Sequence, residues 1–316
     1  MTTQRLVVWR TTLRHPSPRF MAAAALCVVL GSLFIVQEQR LFDRLWYSVQ
    51  ERWYAKEWKE RSLWLPAYQV DIEAKPIPGN RDFSAATFDP SRQTLVTLTN
   101  KDSEFVELSL EGDVLRRIPM RGFSDPEAIE YISPGVYIVV EERSQRLVQI
   151  HVDEHTRVID VNDPVNQTQF SLNVSKPDNK GFEGLAYDYQ HKRLFVAKEM
   201  DPVQIYEIDG FAGTHPEQPM EIRLYTDTQR DSGLLVKDLS SLAFDSDSGH
   251  LLALSDESKK VIELDKESLP VGSMSLEAGE HGLNLDVPQA EGMTLDDQGR
   301  LYVISEPNLF YRFSKR

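Results

Sequence analysis

Cysteine is almost missing from this chain of 316 residues, which has a single one at Cys27. One thiol cannot close an intrachain disulfide, and the region after Cys27 has none for a zinc site or a cysteine nucleophile. The G-x-S-x-G and H-E-x-x-H motifs and the P-loop are absent as well. The sequence therefore lacks the local signatures of serine hydrolases, zinc proteases and P-loop nucleotide-binding proteins.

Positive charge is scarce in most of the chain. Residues 1–63 contain ten Lys or Arg and five Asp or Glu, a balance of +5. Because the whole chain carries −14, residues 64–316 carry −19. An acidic domain of this kind repels a phosphate backbone and attracts cations or basic partners. The charge thus argues against nucleic acid as a partner.

Long apolar runs are limited to residues 20–36, which contain no charged side chain. This length is at the lower end for a membrane-spanning helix. Four arginines precede the run: Arg5, Arg10, Arg14 and Arg19. We therefore predict a cytoplasmic tail over residues 1–19, a single transmembrane helix over 20–36 in a bacterial inner membrane, and a periplasmic remainder. A cleaved signal peptide is the alternative, although no small-x-small site follows the run.

A charged, aromatic helix is predicted over residues 37–65, where Leu41, Leu45 and Val49 recur at helical spacing. Its aromatic side chains are Trp46, Tyr47, Trp53, Tyr54, Trp58 and Trp64. Aromatic residues of this kind lie at the lipid headgroups, and Arg or Lys can meet anionic lipid, so membrane lipid is a predicted partner. A stalk helix packed on the following domain or on a partner explains the pattern equally well.

One phrase of six residues occurs five times in the remaining sequence, at intervals of 43, 56, 57 and 51 residues. The copies begin at Ser84 (SAATFD), Glu127 (EAIEYI), Glu183 (EGLAYD), Ser240 (SSLAFD) and Glu291 (EGMTLD). Short runs rich in β-branched and aromatic residues follow each copy, separated by Gly, Asp, Ser and Pro. A unit of this size predicts a repeated small β-sheet, and hence an all-β propeller over residues 66–316.

The number of blades follows from how the ring closes. From Glu291 the chain has room for only three strands before it ends at Arg316. The segment from Tyr68 to Glu73 resembles the outer strands of other units and is predicted to complete the last blade. This closure gives five four-stranded blades. A sixth, degenerate blade between Val152 and Lys180 is the alternative, and an open β-sandwich leaves the repeat unexplained.

Acidic side chains recur at two positions of the repeat, the start of the first strand and the end of the second. Since these strands are antiparallel, both positions are expected at one mouth of the central channel. Seven carboxylates occupy them: Glu127, Glu183, Glu291, Glu141, Glu199, Asp256 and Glu306. Carboxylates this close together either raise one another's pKa values or hold a counter-ion. Ca²⁺ or another divalent cation would fit, because such ions prefer oxygen ligands. Each acid could instead pair with a local base or cap a loop.

Two classes of function fit this mouth. The first is a binding or scaffold module that holds a divalent cation and an unidentified protein or small molecule. The second is a metal-dependent hydrolase of phosphate or carboxylic esters, in which one carboxyl group activates water. The histidines share no repeat position, and His281 is the one placed shortly before the Glu291 phrase.

Several stretches resemble the SdiA-regulated, YjiK-type propeller family of bacteria. They are DPEAIEYI from Asp125, GFEGLAY from Gly181, PQAEG from Pro288 and SEPNLFYRF from Ser305. The resemblance covers about Tyr68 to the C-terminus and implies an envelope protein with a membrane segment before its propeller. The Glu-Gly-Leu or Glu-Gly-Met phrase alone is also similar to esterase-like phytase propellers.

Overall fold

The computed structural model describes residue 21 and residues 41–79, 82–166, 168–172, 174, 180–212 and 221–316. The predicted tail over 1–19 and, apart from Met21, the predicted transmembrane helix over 20–36 lie outside these residues. Within the part of the chain that is described, no helix has the length and apolar character needed to cross a membrane. Residues 51–316 form one compact unit.

The region predicted as one helix over residues 37–65 contains two helices, α1 (Leu41–Trp53) and α2 (Ala55–Arg61), and a 3₁₀ turn, Leu65–Ala67. The interruption falls at Tyr54, whose ring stacks on that of Trp58, with centroids 5.8 Å apart. Trp58 is buried, whereas Trp53 is 76% exposed. The aromatic side chains are therefore divided between packed and solvent-facing positions.

The strands, numbered along the chain, form five sheets among the described residues. Blade 1 contains β2 (Thr87–Asp89), β3 (Thr94–Thr99), β4 (Glu104–Leu108) and β5 (Val114–Arg121). Blade 2 contains β6 (Pro126–Ser133), β7 (Val136–Glu141), β8 (Arg146–His151) and β10 (Gln169–Ser171). Blade 3 contains β11 (Phe182–Asp188), β12 (Arg193–Lys198), β13 (Gln204–Asp209) and β14 (Arg223–Thr226). A short helix, α3 (Thr228–Gly233), leads to the next blade.

Blade 4 contains β15 (Ser241–Asp245), β16 (His250–Ser255), β17 (Lys260–Leu264) and β18 (Pro270–Ser275). Blade 5 contains β19 (Gln289–Leu295), β20 (Leu301–Glu306), β21 (Leu309–Lys315) and β1 (Tyr68–Pro76). The inner strands β2, β6, β11, β15 and β19 contact one another in that order, and β19 returns to β2. The predicted five-bladed propeller is confirmed.

The predicted closure is confirmed by the pairing of β1 with β21, in which Tyr68 lies opposite Lys315 and Pro76 opposite Leu309. The rival sixth blade does not form. From the connection after His151, β9 (Ile159–Asp160) pairs with β5 at the edge of blade 1. The next strand, β10, becomes the outer strand of blade 2. The long connection thus extends two existing sheets.

The recurring phrase is the inner strand, and its residues have distinct structural roles. A Cβ on Gly292 would lie 2.4 Å from the carbonyl carbon of Ala85, so glycine lets neighbouring inner strands approach. The closing aspartate caps the turn to the second strand, as Asp89 does by accepting from the amides of Ser91 and Arg92. Strand crowding at the axis and turn capping thereby explain why the phrase repeats.

Candidate metal site at the acidic channel mouth

The start of each inner strand lies beside the end of the second strand. In blade 3, Phe182 pairs with Lys198, and in blade 5, Gln289 pairs with Glu306. These residues adjoin the acidic positions of the repeat. We call this end of the channel the acidic mouth. The opposite end, where the inner strands finish, is the opposite mouth.

Two groups of carboxylates at the acidic mouth share one residue. Oxygens of Asp125, Glu127 and Glu142 lie within 4.8 Å of one another and form the blade 2 triad. Oxygens of Glu142, Glu183 and Glu199 lie within the same distance and form the interblade triad. Two oxygens that each lie about 2.4 Å from one ion are at most about 4.8 Å apart, so each triad has the spacing that a Ca²⁺ ion requires.

Glu142 is held between the blades by the backbone of Gly181. The Gly181 amide donates to Glu142 Oε1 at 3.2 Å, and the Gly181 carbonyl accepts from the Glu199 amide at 3.0 Å. A Cβ on Gly181 would lie 2.4 Å from the Glu142 carbonyl oxygen, so only glycine fits. On the other side, the Glu142 amide donates to the Asp125 carbonyl at 3.1 Å. These contacts set the spacing of both triads.

Glu127 and Glu183 of the acidic mouth resist ionisation. Burial raises the pKa of Glu127 to about 9, with added repulsion from Asp125 and Glu142 and against a hydrogen bond from Asn100. Burial and repulsion from Glu199 and Glu291 raise the pKa of Glu183 well above its usual 4.5. These shifts mean that the site lacks enough positive charge to stabilise all its carboxylates.

Glu199 and Glu291 show the same effect to a smaller degree. Burial and repulsion from Glu142 raise the pKa of Glu199 to about 7, although Lys180 opposes the shift. The Oε2 atom of Glu199 is buried and has no hydrogen-bond partner among the described residues. Burial, Asp256 and Glu306 raise the pKa of Glu291 to about 7. Glu291 therefore lies next to acids of blades 4 and 5, and its charge is also felt by Glu183.

Two basic residues near the mouth have partners other than the acids next to them in the sequence. Lys198 is the buried last residue of β12. Its side chain donates to the main-chain carbonyls of Lys180, at 3.1 Å, and of Met200. Arg143 pairs with Asp125 at 2.8 Å. Lys198 therefore does not pair with Glu199, and Arg143 does not pair with Glu141. The alternative in which each acid only pairs with the base beside it is not met at these two positions.

Glu141 and Asp256 are the predicted site residues with the most complete local partners. Glu141 is 1% exposed and accepts from the Ser124 amide, the Ser144 hydroxyl and Arg146, each at 2.7 Å. Asp256 pairs with Lys259 at 3.1 Å and accepts from the Ala290 amide at 3.0 Å. The structure brings Glu127, Glu183 and Glu199 into the triads and leaves Glu141 outside them.

The remaining positions of the mouth differ in the same way. Burial raises the pKa of Glu306, and Lys101 opposes the shift. Ser84 and Ser240, which begin two copies of the phrase, donate to carbonyls of the next inner strand, those of Pro126 and Ala290. These serines join blades together. Asn100, at the end of β3, donates to Glu127 Oε1 at 2.9 Å.

Sequence reasoning missed Glu142 and Asp125. Both lie one or two residues from a chosen position, in the pairs Glu141-Glu142 and Asp125-Pro126-Glu127. The charged neighbours were the available signal, but only the turn geometry decides which acid faces the channel. His281 lies away from the mouth: its Nδ1–H donates to the Tyr68 carbonyl, at the end of β1 that pairs with Lys315.

These features define a five-bladed β-propeller with an acidic channel mouth. The chain belongs to the SdiA-regulated family, whose model matches residues 60–314. The resemblance noted in the sequence is thereby confirmed.

Solved structures that match this chain are distant. A chain of a nidogen/laminin complex is 13% identical, with a TM-score of 0.46, over 75% of this chain and 85% of that chain. A luciferin-regenerating enzyme is 11% identical, with a TM-score of 0.46, over 79% and 95%. A streptogramin B lyase is 9% identical, with a TM-score of 0.42, over 79% and 98%. Likenesses of this size say nothing about the chemistry of this chain.

Proposed function

We propose that this protein is a membrane-anchored periplasmic propeller that binds a divalent cation, Ca²⁺ first, at its acidic mouth. It serves there as a binding or scaffold module. The observation that carries the proposal is the pair of triads joined by Glu142, whose oxygens have the mutual spacing of ligands around one ion.

The electrostatics of the acidic mouth support a cation. The raised pKa values of Glu127 and Glu183 measure the cost of keeping several carboxylates ionised without a counter-charge. A divalent cation reverses this cost, because it favours the ionised form of every carboxylate that it touches. An ion at the mouth also keeps positions open for an anionic group of a small molecule or protein, which is how the module would bind a partner.

The anchor is supported by the sequence. The uncharged run over 20–36 follows a segment with four arginines, and the acidic propeller comes after it. Within residues 51–316, the chain enters β1 on the face of the opposite mouth, because Tyr68 pairs with the end of β21. The segment that directly precedes β1 thus joins the propeller at the face away from the acidic mouth.

A Ca²⁺ titration of the full-length chain tests the cation. At about a hundred times the dissociation constant, Ca²⁺ should raise the free energy of unfolding by roughly 2.7 kcal/mol, and EDTA should reverse the effect. Glu183→Gln should abolish most of this gain. Glu267→Gln, which removes an exposed carboxylate from the turn after β17, is the matched control and should respond like wild type.

An unfolding free energy that Ca²⁺, Mg²⁺ and EDTA leave unchanged would remove the cation from the proposal. The hydrolase alternative is favoured by one observation: Glu127, whose pKa is raised to about 9, interacts electrostatically with Glu291, whose pKa is raised only to about 7, and acid–base chemistry uses two carboxyl groups with different pKa values. The same preparations are therefore assayed with phosphomonoester, phosphodiester and lactone substrates. Metal-dependent turnover that disappears in Glu127→Gln would identify an enzyme rather than a binding module.

A further inference from the structure

The opposite mouth contains a cavity that the cation site does not use. Its volume is about 470 Å³, within the range of small-molecule sites. Every blade contributes to its wall, through Phe88, Glu130, Tyr189, Phe244 and Leu295. Leu63, from the segment that leads into β1, forms part of the rim. The cavity is therefore a single chamber around the propeller axis.

The charge of this cavity has one sign. Five carboxylates line it: Glu130, Asp245, Asp247, Asp296 and Asp297. Among the described residues that form its wall, none is a lysine, an arginine or a histidine. The wall therefore favours a positively charged occupant and disfavours an anionic one.

The aspartates at the rim are mostly committed to local contacts. Asp245 accepts from the Ser248 amide at 3.1 Å, and Asp296 pairs with Arg300 at 2.6 Å. Asp297 accepts from the Gln93 side chain at 2.9 Å. The rim charges thus shape the potential of the cavity, while its interior carboxylate is Glu130.

Glu130 is fixed on the axis by neighbouring inner strands. Its Oε2 accepts from the Thr87 hydroxyl of β2 at 3.1 Å, and its carboxylate also accepts from the Tyr187 amide of β11. The Thr87 hydroxyl in turn accepts from the Tyr131 amide at 3.1 Å. Glu130 is thus held at a fixed position in the wall by three blades.

Aromatic rings supply the rest of the recognition surface. Phe88, Tyr189 and Phe244 line the cavity together with the apolar side chains of Leu63 and Leu295. Tyr189 is held in place, because its hydroxyl donates to the Tyr131 carbonyl at 2.8 Å. Ring faces beside a carboxylate attract an ammonium group and also accept its apolar substituents. A small hydrated metal ion uses only the charge and would leave this apolar surface unpaired.

We propose that the opposite mouth binds a small organic ammonium ion, with Glu130 as its counter-charge and Phe88, Tyr189 and Phe244 as its aromatic wall. This site is separate from the cation site of the acidic mouth and does not depend on it.

Proton linkage supports the assignment. Burial raises the pKa of Glu130 to about 8, with hydrogen bonds from Thr87 and Tyr187 opposing the shift. The groups that act electrostatically on the adjacent Tyr189 are Glu130, Tyr131, Tyr187 and Asp89. None of them is cationic. An ammonium ion would ionise Glu130 and lower its pKa, so binding near pH 7 should release a proton into the buffer.

Calorimetry on the full-length chain tests the site with benzylamine and with the neutral isostere benzyl alcohol. Benzylamine should bind, with a heat that depends on the ionisation enthalpy of the buffer, and benzyl alcohol should bind at least tenfold more weakly. Glu130→Gln should weaken benzylamine binding at least tenfold and abolish the buffer dependence. Glu267→Gln, which removes an exposed carboxylate outside the wall of the cavity, is the matched control and should bind benzylamine like wild type.

Phe244→Leu keeps the charge and removes one ring, so it should weaken benzylamine binding several-fold while benzyl alcohol changes little. This variant tests the site independently if Glu130→Gln fails to fold. Absence of benzylamine binding to wild type at millimolar concentration would overturn the proposal, and so would equal binding by Glu130→Gln. Equal weakening in Glu267→Gln would show that binding follows the net charge of the chain and not this cavity, and it would also overturn the proposal.

Discussion

Glu141 and Glu142 are adjacent carboxylates with opposite surroundings. Glu141 turns into blade 2, where Arg146 approaches both of its oxygens, at 2.7 and 2.8 Å. Glu142 turns toward the channel and joins both triads. A carboxylate that is fully hydrogen-bonded inside the protein stabilises the fold, whereas one that faces like charges is stabilised by a ligand that supplies positive charge.

Substitution of each glutamate by glutamine separates these roles. Glu141→Gln should lower the free energy of unfolding by about 3 kcal/mol, because it leaves Arg146 without its charge partner. Glu142→Gln should cost little, since its Oε1 can still accept from Gly181 and a repulsive charge is removed. Under Ca²⁺ titration, Glu141→Gln should keep the stabilisation that wild type shows and Glu142→Gln should lose it. The reverse pattern, measured by urea unfolding with and without Ca²⁺, would show that Glu141 is the ligand.

The sequence indicated which turns supply the acidic mouth but not which acids of each turn face it. In Glu141-Glu142, a rotation of one residue exchanges channel and interior, whereas Asp125 and Glu127 both belong to the blade 2 triad. That rotation depends on the left-handed backbone of Asp125 (φ 61°) and on the close contact with Gly181, a residue 39 positions away from Glu142. Neither the local pattern nor the repeat contains this information.

At the scale of elements, the inner strands were the most predictable part of the fold. Their phrase combines crowding at the axis with a capped turn, and both requirements act within a few residues. The strands β9 and β10 were not predictable, because they have two and three residues and pair according to where a long connection passes. The choice between the five predicted blades and the rival six was therefore decided by how this long connection pairs.

The closing strand β1 depends on Tyr68. This side chain is 1% exposed, packs in the core between blades 4 and 5, and donates from its hydroxyl to the Gly299 carbonyl at 2.7 Å. Tyr68→Ala should lower the free energy of unfolding by about 3–5 kcal/mol, as expected for loss of a buried aromatic ring.

Tyr68→Phe is the matched control for the closing strand and should cost about 1 kcal/mol, since only one hydrogen bond is lost. Both values can be measured by urea unfolding of the full-length chain. Equal, small losses of unfolding free energy in the two variants would show that the propeller closes without the packing of the Tyr68 side chain.

At the scale of the whole molecule, the propeller concentrates like charges at both ends of one channel. The inner strands bring Glu127, Glu183 and Glu291 together at the acidic mouth, and Glu130 lies farther along the same axis. Each of these carboxyl groups has a raised pKa, with burial as the main cause. The fold thus keeps protons that the unfolded chain would release.

This arrangement predicts how stability depends on pH without a divalent cation. Carboxyl groups whose pKa is raised in the folded state stabilise it fully below their usual 4.5, and the contribution is lost as the pH rises through the folded values of about 7 to 9. The free energy of unfolding should therefore fall between pH 5 and pH 9, by about 1.4 kcal/mol per pH unit for each excess proton held. Carboxylates whose pKa is lowered in the folded state, such as Asp209 beside Arg193, change the free energy of unfolding only at lower pH. They therefore do not affect the range from pH 5 to pH 9.

Urea unfolding in EDTA at one-unit pH steps measures this slope. Glu183→Gln should reduce it, because the amide cannot bind the proton, and Glu267→Gln on the opposite face should leave it unchanged. Saturating Ca²⁺ should flatten or reverse the slope in wild type, since the ion competes with protons for the same oxygens and gains affinity as they leave. Stability that rises from pH 5 to pH 9 in EDTA would mean that the carboxylates of the mouth are already compensated, and the electrostatic argument for a cation would then be lost.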